Sequence, residues 1–230
     1  MAIYAIGDLH LSLSVDKPMD VFGDNWTDYM EKIKTAWLEL VKPEDYVLLP
    51  GDVCWAISLE EAKIDLAWID ALPGKKIISR GNHDYWWETL KKMNPLYESI
   101  TFIHNTYTTI DGWAICGSRG WLSPNDSSFT EQDEKIYNRE CHRLRISLDK
   151  AKTDGYSNIL VMLHYPPTNE KKDVSPIQEI LEDYQVKHVV YGHLHTQISW
   201  SHSLDGDYNN IKYYLVSSDY LNFIPKKIDI

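Results

Sequence analysis

The sequence predicts an α/β fold, a four-layer αββα sandwich in which two mixed β-sheets are flanked by helices. Three observations carry this expectation. Five short apolar runs, at residues 3–6, 47–49, 75–78, 159–163 and 188–191, each read as a buried strand and each lead into a burst of Asp, His or Gly. Over the first ninety residues such runs alternate with helical periodicity, the pattern of parallel strands with covered faces. Beyond residue 100 short strands with tight turns replace that alternation, which adds antiparallel pairing.

Residues 3–6 form the first strand, with Gly7-Asp8-Leu9-His10 as the loop after it. Trp26, Tyr29, Met30, Ile33, Trp37, Leu40 and Val41 recur at helical spacing, so an amphipathic helix is expected over 25–41, stopped by Pro43. Residues 46–49 are the second strand and Gly51-Asp52 its tip. Ser58 and Glu61 make a capping box that opens a helix to about Ala71, ended by Pro73-Gly74. The third strand, 75–78, leads into Ser79-Arg80-Gly81-Asn82-His83-Asp84, and a helix is expected over 86–92. Short strands follow at 100–104, 107–110 and 113–116, the last two joined by a tight turn at Asp111-Gly112.

Residues 119–128 read as a loop and 130–152 as a long polar helix with a narrow stripe of Cys141, Leu144, Leu148 and Ala151. The strand at 159–163 ends in His164. A helix over 175–184 turns Ile177, Ile180 and Leu181 inward. The strand at 188–191 ends in Gly192-His193-Leu194-His195. Residues 198–202 and 211–216 alternate in polarity around Asp205-Gly206 and are expected to be antiparallel strands. No internal repeat or linker interrupts the chain, so one domain is expected over 1–230, with 120–152 as a cap or insert. Parallel strands joined by right-handed crossovers end at one edge, where ligands bind in such sheets. All five polar bursts are therefore expected to meet.

Composition limits the function. A net charge of −11 argues against gripping long nucleic acid, which needs a basic surface. It leaves room for a small phosphorylated substrate, because bound metal ions reverse the local field. Cys54, Cys116 and Cys141 are widely spaced and form no Cys-x-x-Cys pair, so a thiolate zinc site is not expected and a reducing compartment is. No apolar run approaches the ~20 residues of a membrane span. With the first candidate ligand already at Asp8, there is no room for a signal peptide, and the protein is expected to be cytoplasmic. The nine Trp and fifteen Tyr read first as core filling.

The polar bursts bring together Asp8, His10, Asp52, Asn82, His83, Asp84, His164, His193 and His195. Carboxylate oxygen and imidazole nitrogen together suit a divalent transition metal. There are too many donors for one tetrahedral ion, so two ions sharing one carboxylate are expected, with Asp52 as the bridge because it is the lone carboxylate of its loop. Two ions ~3.5–4 Å apart polarise a phosphoryl group and acidify water between them. His83 is spare and could protonate the leaving oxygen, and Asp84 could hold its imidazole. A single His at a strand end is usually structural. Five strand ends with the right residue types are not explained that way.

These motifs resemble those of the calcineurin-like metallophosphoesterases. That family's pattern is Asp-x-His, Gly-Asp, Gly-Asn-His-Asp, a His after a strand, and Gly-His-x-His. Here it is met in order by Asp8 and His10, Gly51 and Asp52, residues 81–84, His164, and Gly192, His193 and His195. The resemblance implies one ion on Asp8, His10, Asp52 and His195, and another on Asp52, Asn82, His164 and His193. It implies in-line attack by a metal-bridging hydroxide on a phosphomonoester or phosphodiester, with His83 as the general acid. Manganese is the working expectation; iron, zinc, nickel and cobalt suit the same donors. Arg119 is expected either to bind a substrate phosphate or to form a salt bridge, and Tyr85, Trp86 and Trp87 either to wall the site or to pack the core. The expected partner is a small or medium phosphoester, with no membrane and no long nucleic acid; oligomeric state is left open. Two other functions fit the same fold: a binding scaffold, which would be expected to lose ligands or the acid His83, and a nuclease, against which the charge counts.

Overall fold

A computed structural model describes residues 1–124, 126 and 128–230. The expected loop over 119–128 includes Asn125 and Ser127, which lie outside the described residues. The chain forms two compact units, one from Met1–Phe102 with Val216–Ile230, the other from Ile103–Leu215. Each contains one mixed sheet, and with their helices they give the expected α/β class of two mixed sheets.

The sheet of the first unit has the order β11-β1-β2-β3-β4. Its strands are β1 (Ile3–Ala5), β2 (Tyr46–Pro50), β3 (Lys75–Ser79), β4 (Ile100–Phe102) and β11 (Lys226–Ile228). Strands β1 to β4 run parallel and β11 pairs antiparallel with β1. Strand β2 is apolar along most of its length because both faces are buried, as parallel strands require. Helix α1 (Tyr29–Leu40) buries Tyr29, Ile33 and Trp37, one residue per turn, into a core with Val47, Leu49 and Ile78. It starts later than expected. Residues Asp24–Trp26 form a separate 3-10 turn, and Asp28, at φ 53°, breaks the two apart.

Helix α2 (Leu59–Asp70) begins at the expected capping box: the Glu61 amide donates to Ser58 Oγ and the Ser58 amide to Glu61 Oε2. Beyond its other end lies a fully buried lysine. Lys76 Nζ donates to the carbonyls of Asp70, Leu72 and Gly74, at 3.2, 2.6 and 2.9 Å. The helix expected over 86–92 shrinks to α3 (Leu90–Met93). Trp86 is drawn instead into the core, where its indole N–H donates to Asp84.

The sheet of the second unit has the order β5-β6-β7-β8-β10-β9. Its strands are β5 (Tyr107–Ile110), β6 (Trp113–Gly117), β7 (Asn158–Met162), β8 (His188–Tyr191), β9 (Gly206–Tyr208) and β10 (Ile211–Leu215). Strands β6, β7, β8 and β10 run parallel, with β5 and β9 as antiparallel edges. The β5–β6 turn has positive φ at both Asp111 and Gly112, as a two-residue hairpin needs. Helix α4 (Glu131–Thr153) carries a capping box at Thr130. It buries Leu144, Leu148 and Ala151 as expected. Cys141 is only half-buried, and Tyr137, Glu140 and Ser147 complete the inward face. Helix α5 (Pro176–Asp183) is capped by Ser175.

The C-terminal part of this unit departs from expectation. Residues expected as a strand over 198–202 lie largely in a short helix, α6 (Gln197–Ser201), because Thr196 and Ser199 cap it reciprocally. The β9–β10 turn falls at Asn209 and Asn210, both at positive φ, rather than at Asp205-Gly206. Strand β10 pairs parallel with β8. Strand β11 was not expected, since Lys226-Lys227-Ile228 carries almost no apolar pattern.

Burial pushes the Lys76 amine from 10.5 down to about 8. Between these values the unfolded chain binds more protons than the folded one, so this residue's contribution makes stability rise with pH over that window. Urea unfolding of wild type and Lys76→Met at pH 7.5 and pH 10 should show that rise only in wild type.

Candidate functional site

In the first unit, three adjacent parallel strands end at one edge of the sheet. Strand β1 leads to Asp8 and His10, β2 to Asp52, and β3 to Asn82, His83 and Asp84. The first two loops stay paired beyond the strands. The Asp8 amide donates to Gly51 O (3.1 Å), the His10 amide to Asp52 O (3.0 Å), and the Leu11 amide to Val53 O (3.0 Å). The carbonyls of Asp8 and His10 accept from Ser218 Oγ and the Tyr29 hydroxyl, each at 2.7 Å.

Asp8, His10 and Asp52 have φ of 54°, 45° and 51°. This left-handed conformation costs a residue with a side chain on the order of 1–3 kcal/mol, and it collects at functional sites. All three are buried, at 0, 3 and 1 % exposure. Asp8 and His10 offer ligand atoms within 4.8 Å of each other, and His10 Nε2 lies 3.9 Å from Asp52 Oδ2.

The third loop is clasped to the second by two carboxylates facing opposite ways. Asp52 Oδ1 accepts the His83 amide at 2.8 Å. Asp84 is fully buried and accepts four N–H donors: the amides of Asp52 (3.0 Å), Val53 (2.9 Å) and Gly81 (2.7 Å), and the Trp86 indole (3.2 Å). The approach is so close that a Cβ at Gly81 would lie 2.1 Å from Asp52 Oδ1 and 2.2 Å from its amide nitrogen. Asn82 and His83 are half-buried beside this clasp.

The imidazoles of His10 and His83 are wedged by an aromatic that occupies no motif position. Trp55 stacks on His10 (4.8 Å, 22°), lies 4.5 Å from the His83 ring, and carries Lys17 Nζ 3.4 Å over its face. The one available signal was its place three residues after Asp52. Of the aromatics after the central motif, Trp86 and Trp87 pack on each other and on Phe102. Tyr85, 59 % exposed, lies 6.2 Å from the His83 ring. Burial, then the charge of Asp84, push the Cys54 thiol well up, so Cys54 is a protonated core residue and not a thiolate ligand.

In the second unit, adjacent parallel strands again end at one edge. Strand β6 leads to Arg119, β7 to His164, and β8 to His193 and His195. The Arg119 carbonyl accepts the amides of both His164 and Tyr165 at 3.0 Å. His193, at φ 73°, is a fourth candidate residue in the left-handed region. Its Nδ1 lies 3.2 Å from His164 Nε2. Two imidazole nitrogens ~2.1 Å from one ion would be roughly 3.0–3.4 Å apart at angles of about 90–109°. This pair fits a shared cation, as does the carboxylate and imidazole chemistry of the first unit. Tyr165 covers His193 at 4.1 Å, Trp121 lies 5.1 Å from Tyr165, and the Arg119 guanidinium lies 4.4 Å over Trp121.

Glu140 is fully buried and shared. Arg143 Nη1 donates to its Oε1 at 2.6 Å, and Arg119 Nη2 faces the same oxygen at 3.5 Å. The structure thus brings six candidate residues to one sheet edge in the first unit, and Arg119, His164, His193 and His195 to one edge in the second.

A family model described as calcineurin-like phosphoesterase matches residues 1–197. Among solved structures, a protein of unknown function from Aquifex aeolicus is 16 % identical, with a TM-score of 0.52, over 98 % of this chain and 95 % of that one. The phosphopantetheinyl hydrolase from Mycobacterium tuberculosis is 13 % identical, with a TM-score of 0.55, over 99 % of this chain and 95 % of that one. At these identities the likeness shows the fold. No curated protein matches the chain. Among the described residues no helix is long and apolar enough to cross a membrane.

Asp84→Asn would set an amide NH2 against N–H groups that now donate to a carboxylate. It should lower stability by about 2–4 kcal/mol in urea unfolding, whereas His83→Ala, which keeps its backbone amide, should stay within about 1 kcal/mol of wild type.

Proposed function

The chain belongs to the calcineurin-like phosphoesterase family and is a metallophosphoesterase, and on that premise we propose that it cleaves a small or medium phosphomonoester or phosphodiester with two divalent ions. The observation that carries this is the trio of Asp8, His10 and Asp52, buried and held in left-handed backbone at the end of parallel strands. Such a trio is costly to fold, and a cation would offset the burial of its two carboxylates.

By the family's pattern, Asp8, His10, Asp52 and His195 hold one ion, and Asp52, Asn82, His164 and His193 the other, with Asp52 shared. When bound, the ions polarise the phosphoryl group and make hydroxide available near neutral pH; manganese is the first metal to try, with iron, zinc, nickel and cobalt next. Water supplies the oxygen of the new P–O bond as the ester P–O bond breaks in line. His83 gives its proton to the departing alkoxide, so the alcohol leaves neutral. Trp55 limits the rotation of the His83 and His10 rings. Asp84 acts as a positioning residue, fixing the loop that carries Asn82 and His83.

Arg119 is the candidate for binding a substrate phosphate. It shares the single charge of Glu140 with Arg143, so the two guanidinium groups keep a net positive charge beside that carboxylate. Free Cys54, Cys116 and Cys141 suit a reducing compartment, and we place the protein in the cytoplasm on that ground.

Turnover of bis-p-nitrophenyl phosphate and p-nitrophenyl phosphate with added manganese tests the reading and separates diester from monoester preference. No turnover of either ester with any of the five metals would overturn it. Asp52→Asn should lose bound metal by elemental analysis as well as activity; full occupancy would remove Asp52 as the bridge. His83→Ala should keep its metal and lose about 10²–10⁴-fold on alkyl esters, with much less loss on p-nitrophenyl esters, whose leaving group needs no proton.

A further inference from the structure

The second unit holds a cavity of about 320 Å³ beside His193. Loops after β7 and β8, the stretch around Leu122 and helix α6 enclose it. This is at the lower end of the ~300–1,000 Å³ usual for ligand pockets, enough for one ring or a short branched chain. Its apolar lining includes Leu122, Tyr165, Pro166 and Ile198. Tyr165 is the residue whose ring covers His193, so the cavity opens directly onto a proposed metal ligand.

Besides the imidazoles of His193 and His202 and several hydroxyls, its charged groups are of one sign. Asp126 and Glu170 line it, and no Lys or Arg does among the described residues. Ser123, 6 % exposed, also lines it, and among the described residues its hydroxyl has no hydrogen-bond partner. A buried hydroxyl left without a partner is costly and marks a place for a ligand to donate or accept. Against the positive charge that an ion on His193 would bring, these two carboxylates weigh against an anion placed beside them and in favour of a neutral or cationic group.

We propose that this cavity binds the organic group of the ester and selects for one that is uncharged or cationic and partly apolar. The inference rests on the phosphoesterase reading, since it takes His193 as a metal ligand. It narrows the substrate class to phosphoesters of neutral or amino-bearing alcohols and disfavours esters whose alcohol carries further phosphate or carboxylate.

Three phenyl phosphates with matched leaving groups test this: those with para hydroxymethyl, aminomethyl and carboxymethyl substituents. For wild type with manganese, kcat/KM should be highest for the aminomethyl ester and lower for the carboxymethyl ester by roughly tenfold. Glu170→Lys should cut or reverse that ratio, and Leu122→Trp, which narrows the cavity from its half-buried wall, should weaken all three through KM. Equal kcat/KM for the three esters in wild type, unaltered by Glu170→Lys, would overturn the proposal. If none of the three turned over and neither p-nitrophenyl ester did, the phosphoesterase reading would fail by itself; cleavage of the p-nitrophenyl diester alone would leave that reading standing. Calorimetry with the free phenols, 4-(aminomethyl)phenol against 4-hydroxyphenylacetate, would then decide the pocket: binding of the first alone, lost in Leu122→Trp, supports it, and binding of neither overturns it.

Discussion

The Asp84 carboxylate, with its four N–H donors, is the constraint on which the first unit's site depends. Two of the donors belong to the loop after β2 and two to the loop after β3. One buried anion thereby joins two chain segments that otherwise share the ladder of their strands and the bond from the His83 amide to Asp52. A carboxylate can do this where a neutral side chain cannot, because it offers two oxygens and no donor. Gly81 follows from the same clasp, since the space where its side chain would stand is filled by Asp52. The strained backbone is held as well: Asp8, His10 and Asp52 persist at positive φ with their own amides committed to Gly51 O, Asp52 O and Asp84.

The second unit solves the same problem by different means. Its imidazoles are held by rings rather than by a central anion, in a column from Arg119 through Trp121 and Tyr165 to His193. This accounts for part of the tryptophan content. Trp55 packs on His10 and His83 and Trp121 on Tyr165 and Arg119, while Trp37 and Trp86 fill the core and spend their indole N–H on Pro73 O and Asp84. Rings bring few rotatable bonds to such a support, so they fix an imidazole at little cost in entropy.

Most of the fold was legible because its signals are local. The capping box at Ser58, the Asp111-Gly112 turn and the apolar runs that end in polar bursts all state their structure within a few residues. The departures occur where a distant partner decides. Residues 86–89 have helical composition, but Trp86 bonds Asp84 and the helix waits for Leu90. Ile198, Trp200 and His202 alternate like a strand, but Trp200 donates to Leu194 O and the segment coils. Strand β11 exists only because β1 has a free edge for it. At the site, ligand residue types could be read from the motifs. Trp55 and Glu140 could not, since each is defined by what it touches across the fold.

The stretch after Val216 has a temporal consequence. Gly7 donates its amide to Val216 O, the Ser218 amide donates to Gly7 O, and Ser218 Oγ donates to the Asp8 carbonyl. Gly7 and Asp8 are thus locked by residues made more than two hundred positions later. During synthesis the ribosome must release this late segment before the loop of Asp8 and His10 can take its final shape. Until then the nascent chain carries its Asp8 carboxylate unfastened, and the loop is closed only after Ser218 has left the ribosome.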